Sequence, residues 1–261
     1  MERFLRTQQL LGDSGFRRLQ SSRVVVIGLG AVGGYAVEGL ARAGVGSLRL
    51  FDFDTIQPSN INRQILALES TLYQPKAKVA AERVRAINPN CLVEAQEVFA
   101  DQETLATILD PVPDLVIDAI DSLNPKIQLL SEVYKRGIPL LSSMGAALRT
   151  DPGKIAVGDI AESRGCPLAK RVRKRLRRVG IETGIRCVFS TEKVTFTYTP
   201  PVSDPNVPPA NIYENRGRKR VILGSLPTLT GIFGLILANE AILYLSGGSE
   251  EGDNMSTTTP H

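Results

Sequence analysis

The sequence predicts an α/β protein with a Rossmann-like, doubly wound, mostly parallel sheet and a C-terminal antiparallel extension. Short apolar runs at residues 24–27 and 47–51 are typical of parallel strands that helices cover on both faces. The pattern Gly28-x-Gly30-x-x-Gly33 joins the first run to a helical pattern, as in a strand, a tight turn and a helix. Residues 154–159 alternate in polarity instead, which predicts an antiparallel strand in the second half.

The other elements follow from periodicity and from residues that begin or end helices. Residues 1–22 are predicted to form a short amphipathic helix, and the helix after the glycine turn spans residues 31–43, with Gly44 and Gly46 at its end. Further strands are predicted at residues 91–97, 114–120, 139–142, 185–189 and 193–198. Further helices are predicted at residues 76–87, 102–109, 125–136, 167–178 and 221–239.

We expect four segments in the chain. They are a helical lead-in at residues 1–22, a nucleotide-binding domain at 23–145, a basic extension at 146–246 and a disordered tail at 247–261. Five prolines within residues 200–209 predict an exposed or disordered loop. Residues 221–239 carry no charge and are long enough to cross a membrane, but Pro227, Thr228 and Glu240 favour a buried helix. We therefore expect no stable membrane insertion.

Cysteine and histidine usage excludes several classes of chemistry. Cys91, Cys166 and Cys187 are too few and too scattered for a disulfide framework, and no C-x-x-C pair offers a zinc site. This usage indicates a reducing, cytoplasmic setting. The single histidine is His261, which excludes a Ser-His-Asp triad, a Cys-His pair and a histidine-ligated metal inside the fold.

Positive charge is concentrated in two stretches. Residues 164–178 contain eight basic residues and no acidic one, and residues 211–220 add Arg216, Arg218, Lys219 and Arg220. Outside these twelve, 19 basic residues stand against 27 acidic ones, although the whole chain has a net charge of +4. Such local charge indicates contact with a polyanion more than a general aid to solubility.

The glycine turn indicates a bound nucleotide without saying which one. Glycine lets the backbone make this turn and approach phosphates, and the helix N-terminus behind it supplies free N–H groups. Asp52 ends the second strand, 19 residues after Gly33, where a carboxylate can accept ribose hydroxyls. Asp54 is a second candidate, and for both residues a structural role in the turn is the alternative. On this pattern alone NAD fits as well as ATP.

Residues beyond the turn favour a nucleoside triphosphate. Asn60, Arg63 and Lys76 supply an amide and two cations, and Asp121 is expected to end the strand at 114–120. A carboxylate at that edge of the sheet can hold Mg²⁺ against phosphates. Individually, Arg63 and Lys76 could be solvated and Asp121 could cap a helix. Together they predict cleavage of a triphosphate, because cations and a metal offset charge on the phosphoryl group and on pyrophosphate.

Four motifs make residues 3–145 resemble the adenylating domain of the ubiquitin-activating superfamily, which includes the ThiF-like adenylyltransferases. The motifs are GLGAVG, DFDTIQPSNINRQ, QPK and DAIDS. The resemblance implies an ATP site in which Asp52 binds the ribose, Asp121 handles Mg²⁺, and the phosphates contact Gly28, Gly30, Ala31, Gly33, Asn60, Arg63 and Lys76. Ala31 stands where many members have glycine, but its backbone N–H remains. Arg6 matches an arginine that reaches into the partner subunit's ATP site, which implies a homodimer.

The second half resembles the tRNA threonylcarbamoyladenosine dehydratases. The segments KIAVGDIAESRGCPLAKRVRKRLRR, RCVFSTEK and GSLPTLTGIFGLILANEAI carry this likeness, which extends over most of residues 3–246. Members use ATP to activate the carboxylate of the threonylcarbamoyl group on the adenosine beside the anticodon. The acyl-adenylate then closes onto its own ureido group and AMP leaves, so that the net change is a dehydration.

Two other functions remain open on the sequence. One is an adenylyltransferase for the C-terminal carboxylate of a ubiquitin-like or sulfur-carrier protein, although the two C-x-x-C zinc pairs usual in the sulfur-carrier activators are absent. The other is a nucleotide-binding protein that docks RNA without catalysis. The dehydratase resemblance implies tRNA carrying threonylcarbamoyladenosine as the partner, and leaves open a monovalent cation and a sulfur-relay protein.

The basic helix at 167–178 is the predicted tRNA surface, because phosphate contacts position RNA without reading its sequence. A solvated basic face is the alternative. Cys187 is predicted to be a small core residue on a strand, with a nucleophile or sulfur acceptor as the alternative. The role of Cys166 is undetermined. The tRNA-binding residues are predicted to be Lys170, Arg171, Arg173, Lys174, Arg175, Arg177 and Arg178.

Overall fold

The computed structural model describes residues 2–194 and 223–248, and seven strands of this part form one sheet. Their order is β3-β2-β1-β4-β5-β7-β6, and all neighbours are parallel except β6 and β7. This confirms the predicted fold class, including the antiparallel extension. The strands are β1 (Arg23–Ile27), β2 (Ser47–Phe51), β3 (Leu92–Gln96), β4 (Leu115–Asp118), β5 (Leu140–Ser143), β6 (Ile155–Asp159) and β7 (Arg186–Ser190).

Helices cover both faces of the sheet, which explains why the central strands are apolar throughout. One face packs against α1 (Leu5–Ser21), α2 (Gly33–Ala43), α3 (Lys76–Ile87) and α7 (Pro227–Ser246). The other face packs against α4 (Leu105–Ile108), α5 (Leu123–Lys135) and α6 (Pro167–Arg177). The strand order crosses the predicted boundary at residue 145, since β7 lies beside β5. One continuous sheet therefore contains strands from both sides of residue 145, and the division into segments stays a prediction from the sequence.

The chain order reverses between β1 and β4, which are neighbours in the sheet. From β1 the chain moves outward to β2 and β3, whereas from β4 it moves the other way to β5. In doubly wound sheets ligands bind at such a reversal, beyond the carboxyl ends of the strands. Gly28 follows β1 and Asp52 follows β2 at this edge.

The C-terminal helix differs from its predicted bounds. It was expected at residues 221–239, but α7 begins at Pro227 and runs to Ser246, and residues 223–226 are not helical. Pro227 suits a first helical position because its missing N–H would have no partner there. The helix packs closely on α2, since a Cβ on Gly234 would lie 2.3 Å from the Val32 carbonyl oxygen. By length and composition α7 could cross a membrane, but half of its most apolar window is buried inside the protein.

Two further expectations need correction. The strand predicted at 114–120 ends at Asp118, so Asp121 lies three residues beyond the sheet. Lys193 and Val194 form no strand. Directly before them, the carboxylate of Glu192 accepts hydrogen bonds from the Thr150 and Asp151 N–H groups. The rest of that predicted strand, the loop at 200–209, the basic residues at 216–220 and residues 249–261 of the predicted tail lie outside the described residues.

Candidate functional site: a glycine turn bordered by buried charges

The glycine turn is shaped by two close backbone approaches. Gly28 has a φ of +89°, and a Cβ there would lie 2.8 Å from the Ala119 carbonyl oxygen. A Cβ on Gly33 would lie 1.7 Å from the Gly28 carbonyl oxygen, a distance too short for any side chain to fit. Apart from its two chain neighbours, the only described atom within 4 Å of a Cβ on Gly30 would be Nε2 of Gln64, at 3.8 Å. The space above Gly30 is therefore open, while Gly28 and Gly33 are fixed by packing.

Helix α2 begins at this turn, with its N-terminus toward the open space above Gly30. Its N-terminus at Val32 has no side-chain cap from the described part of the chain. The Gly34 N–H donates back to the Gly30 carbonyl at 3.0 Å, and Leu29 N–H donates to Asp52 Oδ2 at 2.6 Å. Uncapped N–H groups and the positive end of the helix dipole make this a favourable place for an anion. Ala31 is half-buried in the turn. Its backbone N–H is the group that the family resemblance assigns to phosphate binding.

Asp52, Asp54 and Lys76 meet beside the turn. Asp52 is buried, and its Oδ1 accepts the Asp54 N–H at 2.8 Å. Burial raises the pKa of the Asp52 carboxyl above its usual 3.8, while Lys76 acts in the opposite direction. Lys76 is only 5% exposed, and its Nζ lies 3.1 Å from Asp54 Oδ2. The burial of Lys76 rules out the alternative of a solvated lysine.

Asn60 ends the short 3₁₀ helix Pro58–Asn60, and Arg63 lies in the turn that follows it. Asn60 is buried, and its Oδ1 accepts the Gln57 N–H at 3.1 Å, so its amide oxygen shapes the turn. Arg63 is half-buried, and its Nη1 donates to the Ser59 carbonyl at 2.9 Å and to Asn62 Oδ1 at 2.7 Å. Their roles toward a triphosphate stay predictions.

A buried ion pair under the site was missed by the sequence analysis. Asp118 and Lys126 are both fully buried and paired with each other, and Ser142 Oγ donates to Asp118 Oδ2 at 2.6 Å. Asp118 Oδ1 accepts the Ile120 N–H at 3.0 Å. This carboxylate thus joins β4, β5 and α5 and fixes the first residues of the loop that carries Asp121. The only feature of the sequence that could have indicated this pair is Asp118, a charged residue within the apolar run at 115–120.

Asp121 lies on that loop at the carboxyl edge of the sheet. Its side chain is exposed, and Ser122 Oγ donates to its Oδ1 at 3.3 Å. In the described part of the chain no three His, Cys, Asp or Glu residues form a group that could hold a metal ion. One carboxylate can still suffice for Mg²⁺ when substrate phosphates supply other ligands.

Arg6 lies far from its own glycine turn. It is exposed on α1, two residues after Phe4, whose ring packs beside Gly44 at the end of α2. Nearby Arg3 donates to the carbonyl of Ile87 at the end of α3 at 2.9 Å. Helices α2 and α3 both begin near the candidate site and end at the opposite edge of the sheet. Within one chain, therefore, Arg6 and the site are separated.

Helix α6 carries its basic residues around a buried apolar stripe. Ala169, Val172 and Leu176 are buried, and six of the seven predicted tRNA-binding residues are exposed. Arg173 differs because it is half-buried and its Nη1 donates to the Ser163 carbonyl at 2.5 Å. The exposed basic residues are Lys170, Arg171, Lys174, Arg175, Arg177 and Arg178.

The basic helix borders the loop of Asp121. Nη1 of Arg175 donates to Oδ1 of Asn124 at 3.2 Å, and Asn124 lies in the first turn of α5, directly after the loop of Asp121. The same loop reaches the glycine turn on its other side, where the Ala119 carbonyl packs against Gly28. The nucleotide-type turn and the basic surface are therefore neighbours, with one short loop between them.

The cysteines are buried. Cys187 lies on β7 without exposure, and burial raises the pKa of its thiol to about 12. Burial likewise raises the pKa of Cys91 to about 11. These thiols stay protonated near neutral pH, which supports the predicted core role of Cys187. Cys166 is buried at the start of α6, where its Sγ accepts the Ala169 N–H at 3.5 Å.

Comparison with known proteins agrees with this geometry. The ThiF family model matches residues 2–259. The tRNA threonylcarbamoyladenosine dehydratase of Bacillus subtilis is 44% identical over 74% of this chain and 76% of its own length. The enzyme of that name from Escherichia coli is 35% identical over 92% of each chain.

Solved structures agree as well. The E. coli tRNA N6-threonylcarbamoyladenosine dehydratase in complex with ATP superposes with a TM-score of 0.82 at 32% identity, covering 96% of this chain and 97% of the other. A complex of the same enzyme with AMP matches with the same TM-score and covers 96% of each chain. The predicted resemblance is thereby confirmed, and the chain belongs to the ThiF family.

Proposed function

We propose that this protein is an ATP-dependent tRNA threonylcarbamoyladenosine dehydratase. The observation that carries the proposal is that one short segment, residues 119–124, joins the open glycine turn to the basic helix α6; it consists of the loop of Asp121 and the first residues of α5. An enzyme that adenylates a group on tRNA needs its nucleotide site and its RNA surface side by side. Similarity to dehydratases over nearly the whole chain supports the same assignment.

ATP is the nucleotide that the turn fits best. Solved relatives hold ATP and AMP, and AMP is the product that adenylation followed by ring closure would release. The open space above Gly30 and the uncapped start of α2 suit phosphates. Asp52 would accept a ribose hydroxyl, and Lys76, already held by Asp54, would face the phosphates.

In the first step an oxygen of the threonylcarbamoyl carboxylate would attack the α-phosphorus of ATP, and pyrophosphate would leave. Arg63 and Lys76 would offset the charge that develops on the phosphates. In the second step the ureido group would attack the activated carbonyl, and AMP would leave. Ring closure is intramolecular, so it depends on positioning more than on a protein nucleophile. The absence of an internal histidine from the sequence is consistent with this mechanism.

Mg²⁺ fits this site as a companion of ATP. Asp121 is the carboxylate that would hold it, together with the phosphates, as expected for an ion that prefers few protein ligands. When bound, the ion would neutralise phosphate charge. A monovalent cation and a sulfur-relay protein stay predictions, as does a cytoplasmic location.

A homodimer would complete the site. Arg6 is separated from the glycine turn of its own chain, so it can serve an ATP site only on a second subunit. Exposed apolar side chains near it, Leu5 at 51% and Leu10 at 84% exposure, are candidates for the subunit contact. The proposal predicts that each ATP site takes Lys76 from one subunit and Arg6 from the other.

The decisive experiment supplies ATP, Mg²⁺ and tRNA that bears threonylcarbamoyladenosine. Nucleoside mass spectrometry should show the loss of one water, with AMP and pyrophosphate formed in equal amounts. Lys76→Ala and Arg63→Ala should abolish this change while largely sparing tRNA binding. If no dehydrated nucleoside forms while a sulfur-carrier protein supports ATP–pyrophosphate exchange, the protein-activating alternative replaces this proposal.

A further inference from the structure

The exposed basic side chains of α6 form two rows along the helix. Residues three or four apart lie on the same side of a helix, because each residue is rotated by about 100° from the one before it. One row, which we call the arginine row, consists of Arg171, Arg175 and Arg178. The second row consists of Lys170, Lys174 and Arg177. The buried stripe of α6 lies on the opposite side of the helix, so both rows are open to solvent.

The two rows border different parts of the protein. In the arginine row, Nη1 of Arg175 donates to Oδ1 of Asn124 in the first turn of α5 at 3.2 Å. Beside the second row, Nη1 of Arg173 donates to the Ser163 carbonyl at 2.5 Å, in the segment that precedes α6. The arginine row therefore lies on the side of α5, and the second row lies on the side of Ser163.

The side of α6 that carries the arginine row adjoins the carboxyl edge of the sheet. Leu168, three residues before Arg171, lies on that side, and a Cβ on Gly145 would lie 3.7 Å from its Cβ. Gly145 follows the end of β5 by two residues. Asn124 follows the loop of Asp121 after β4, the strand beside β5. The arginine row is thus next to the ends of two neighbouring strands, at the edge where doubly wound sheets bind ligands.

The two rows also differ in how their side chains bind phosphate. A guanidinium has five N–H donors, and the bond to Asn124 uses one donor of Arg175 and fixes the direction of the group. Its planar fork can hold a phosphate through two parallel hydrogen bonds. Two members of the second row are lysines, whose ammonium groups attract phosphate as point charges. Only the arginine row therefore combines a position beside the site with the ability to orient a phosphate.

We propose that the arginine row holds the sugar–phosphate backbone of the tRNA strand that enters the active site, with Arg175 on the phosphate nearest to the reacting adenosine. The second row adds electrostatic attraction for the tRNA as a whole. This inference rests on the proposed function and names the residues of the basic helix that position the reacting group. Because the threonylcarbamoyl carboxylate must reach the α-phosphorus of ATP, misplacing its strand lowers the rate as well as the affinity.

The test compares Arg175→Gln with Lys174→Gln, which each remove one positive charge from an exposed position on α6. Each should lower the salt slope of tRNA binding by about one. At saturating tRNA, Arg175→Gln should lower kcat by about tenfold or more, because the strand is misplaced. Lys174→Gln should raise the KM for tRNA and leave kcat unchanged. Both variants should melt like the wild type, since both side chains are exposed.

Two further variants separate the charge of Arg175 from its direction. Arg175→Lys keeps the charge but lacks the planar fork, so it should have the wild-type salt slope and still show a reduced kcat. Asn124→Ala removes the acceptor that directs Arg175 and changes no charge, so it should lower kcat several-fold and leave the salt slope unchanged.

Ethylation interference on tRNA that bears threonylcarbamoyladenosine detects the phosphate contacts without turnover. Ethylation of the phosphates beside the modified adenosine should impair binding to the wild type. Arg175→Gln should lose this effect at those phosphates, whereas Lys174→Gln should lose it at more distant ones.

Equal effects of Arg175→Gln and Lys174→Gln on kcat would overturn the inference, and so would the same interference pattern for both variants. If the wild type forms no dehydrated nucleoside but gives the expected interference pattern, the proposed reaction is contradicted and the assignment of the arginine row stands.

Discussion

Gly30 and Gly33 stand three residues apart in one turn and meet different constraints. At Gly33 the Gly28 carbonyl occupies the place of a side chain, so the restriction comes from the fold itself. At Gly30 the corresponding place is open apart from the Gln64 amide, as far as the described residues extend, so the restriction is expected from a ligand. The motif therefore combines a packing requirement and a binding requirement.

Substituting these two glycines should separate stability from binding. Gly33→Ala should lower the melting temperature by roughly 5–10 °C, because backbone must move to accept the methyl group. Gly30→Ala should melt like the wild type but bind ATP about tenfold more weakly or worse, because the methyl group fills the space above the turn. Thermal melts with and without ATP measure both. A strongly destabilised Gly30→Ala would show that the open space is not what the glycine preserves.

Lys126 should be essential for stability although it never reaches solvent. Lys126→Met leaves the buried Asp118 carboxylate without its counter-ion, and we expect a loss of about 3–5 kcal/mol in unfolding free energy. Adding Asp118→Asn should restore most of that loss, because the uncompensated charge is removed. Denaturant unfolding of the two variants is the measurement. Equal instability of the single and double variants would contradict this account of the pair.

At the scale of elements, the structure divides the basic residues of α6 by their position on the helix. Arg173 lies half-buried and donates to Ser163, so part of its role is to hold α6 against the preceding turn. Lys170, Arg171 and Lys174 are exposed and available to phosphates. The sequence predicted a basic surface on α6 but could not show which of its basic side chains are exposed and which are half-buried.

Reversing the charges of the exposed residues should weaken RNA binding. The triple variant Lys170→Glu, Arg171→Glu, Lys174→Glu should bind tRNA less tightly, with a salt slope lower by about one for each phosphate that is no longer neutralised. Binding measured between low and moderate salt gives the slope.

Two control variants complete that experiment. Lys78→Glu on α3 is the matched control, at an exposed lysine on the other face of the sheet, and should leave the slope unchanged. Arg173→Ala should lower the melting temperature more than it changes the slope. An unchanged slope in the triple variant would place the RNA surface elsewhere.

At the scale of the whole molecule, the proposed sharing of sites between subunits can be tested by mixing inactive variants. Arg6→Ala and Lys76→Ala should each lose turnover. In a co-expressed mixture, a heterodimer would contain one site with both changes and one intact site, so about a quarter of all sites should recover. Differently tagged subunits allow heterodimers to be purified and assayed. Inactive heterodimers would contradict a site that combines Arg6 and Lys76 from different chains.

The sequence predicted most of the fold because its signals were local. The apolar runs of β1 and β2 and the glycine pattern place strand, turn and helix without reference to distant residues. Errors occurred where a distant residue decides the end of an element. Asp118, the last residue of β4, is bonded to Ser142 and Lys126, and Glu192, two residues after β7, accepts hydrogen bonds from N–H groups some 40 residues away.

The sequence by itself determined the fold class and the family resemblance, because apolar periodicity and the glycine motif are local signals. Only the tertiary structure decided that Asp118 is paired below the site, that Gln64 Oε1 accepts no hydrogen bond within the described residues, and that α6 contacts the start of α5 just after the loop of Asp121. The physical reason is that burial and hydrogen-bond satisfaction depend on atoms brought together from separate elements. A sequence pattern records which groups are present, and packing decides which of them remain available to a ligand.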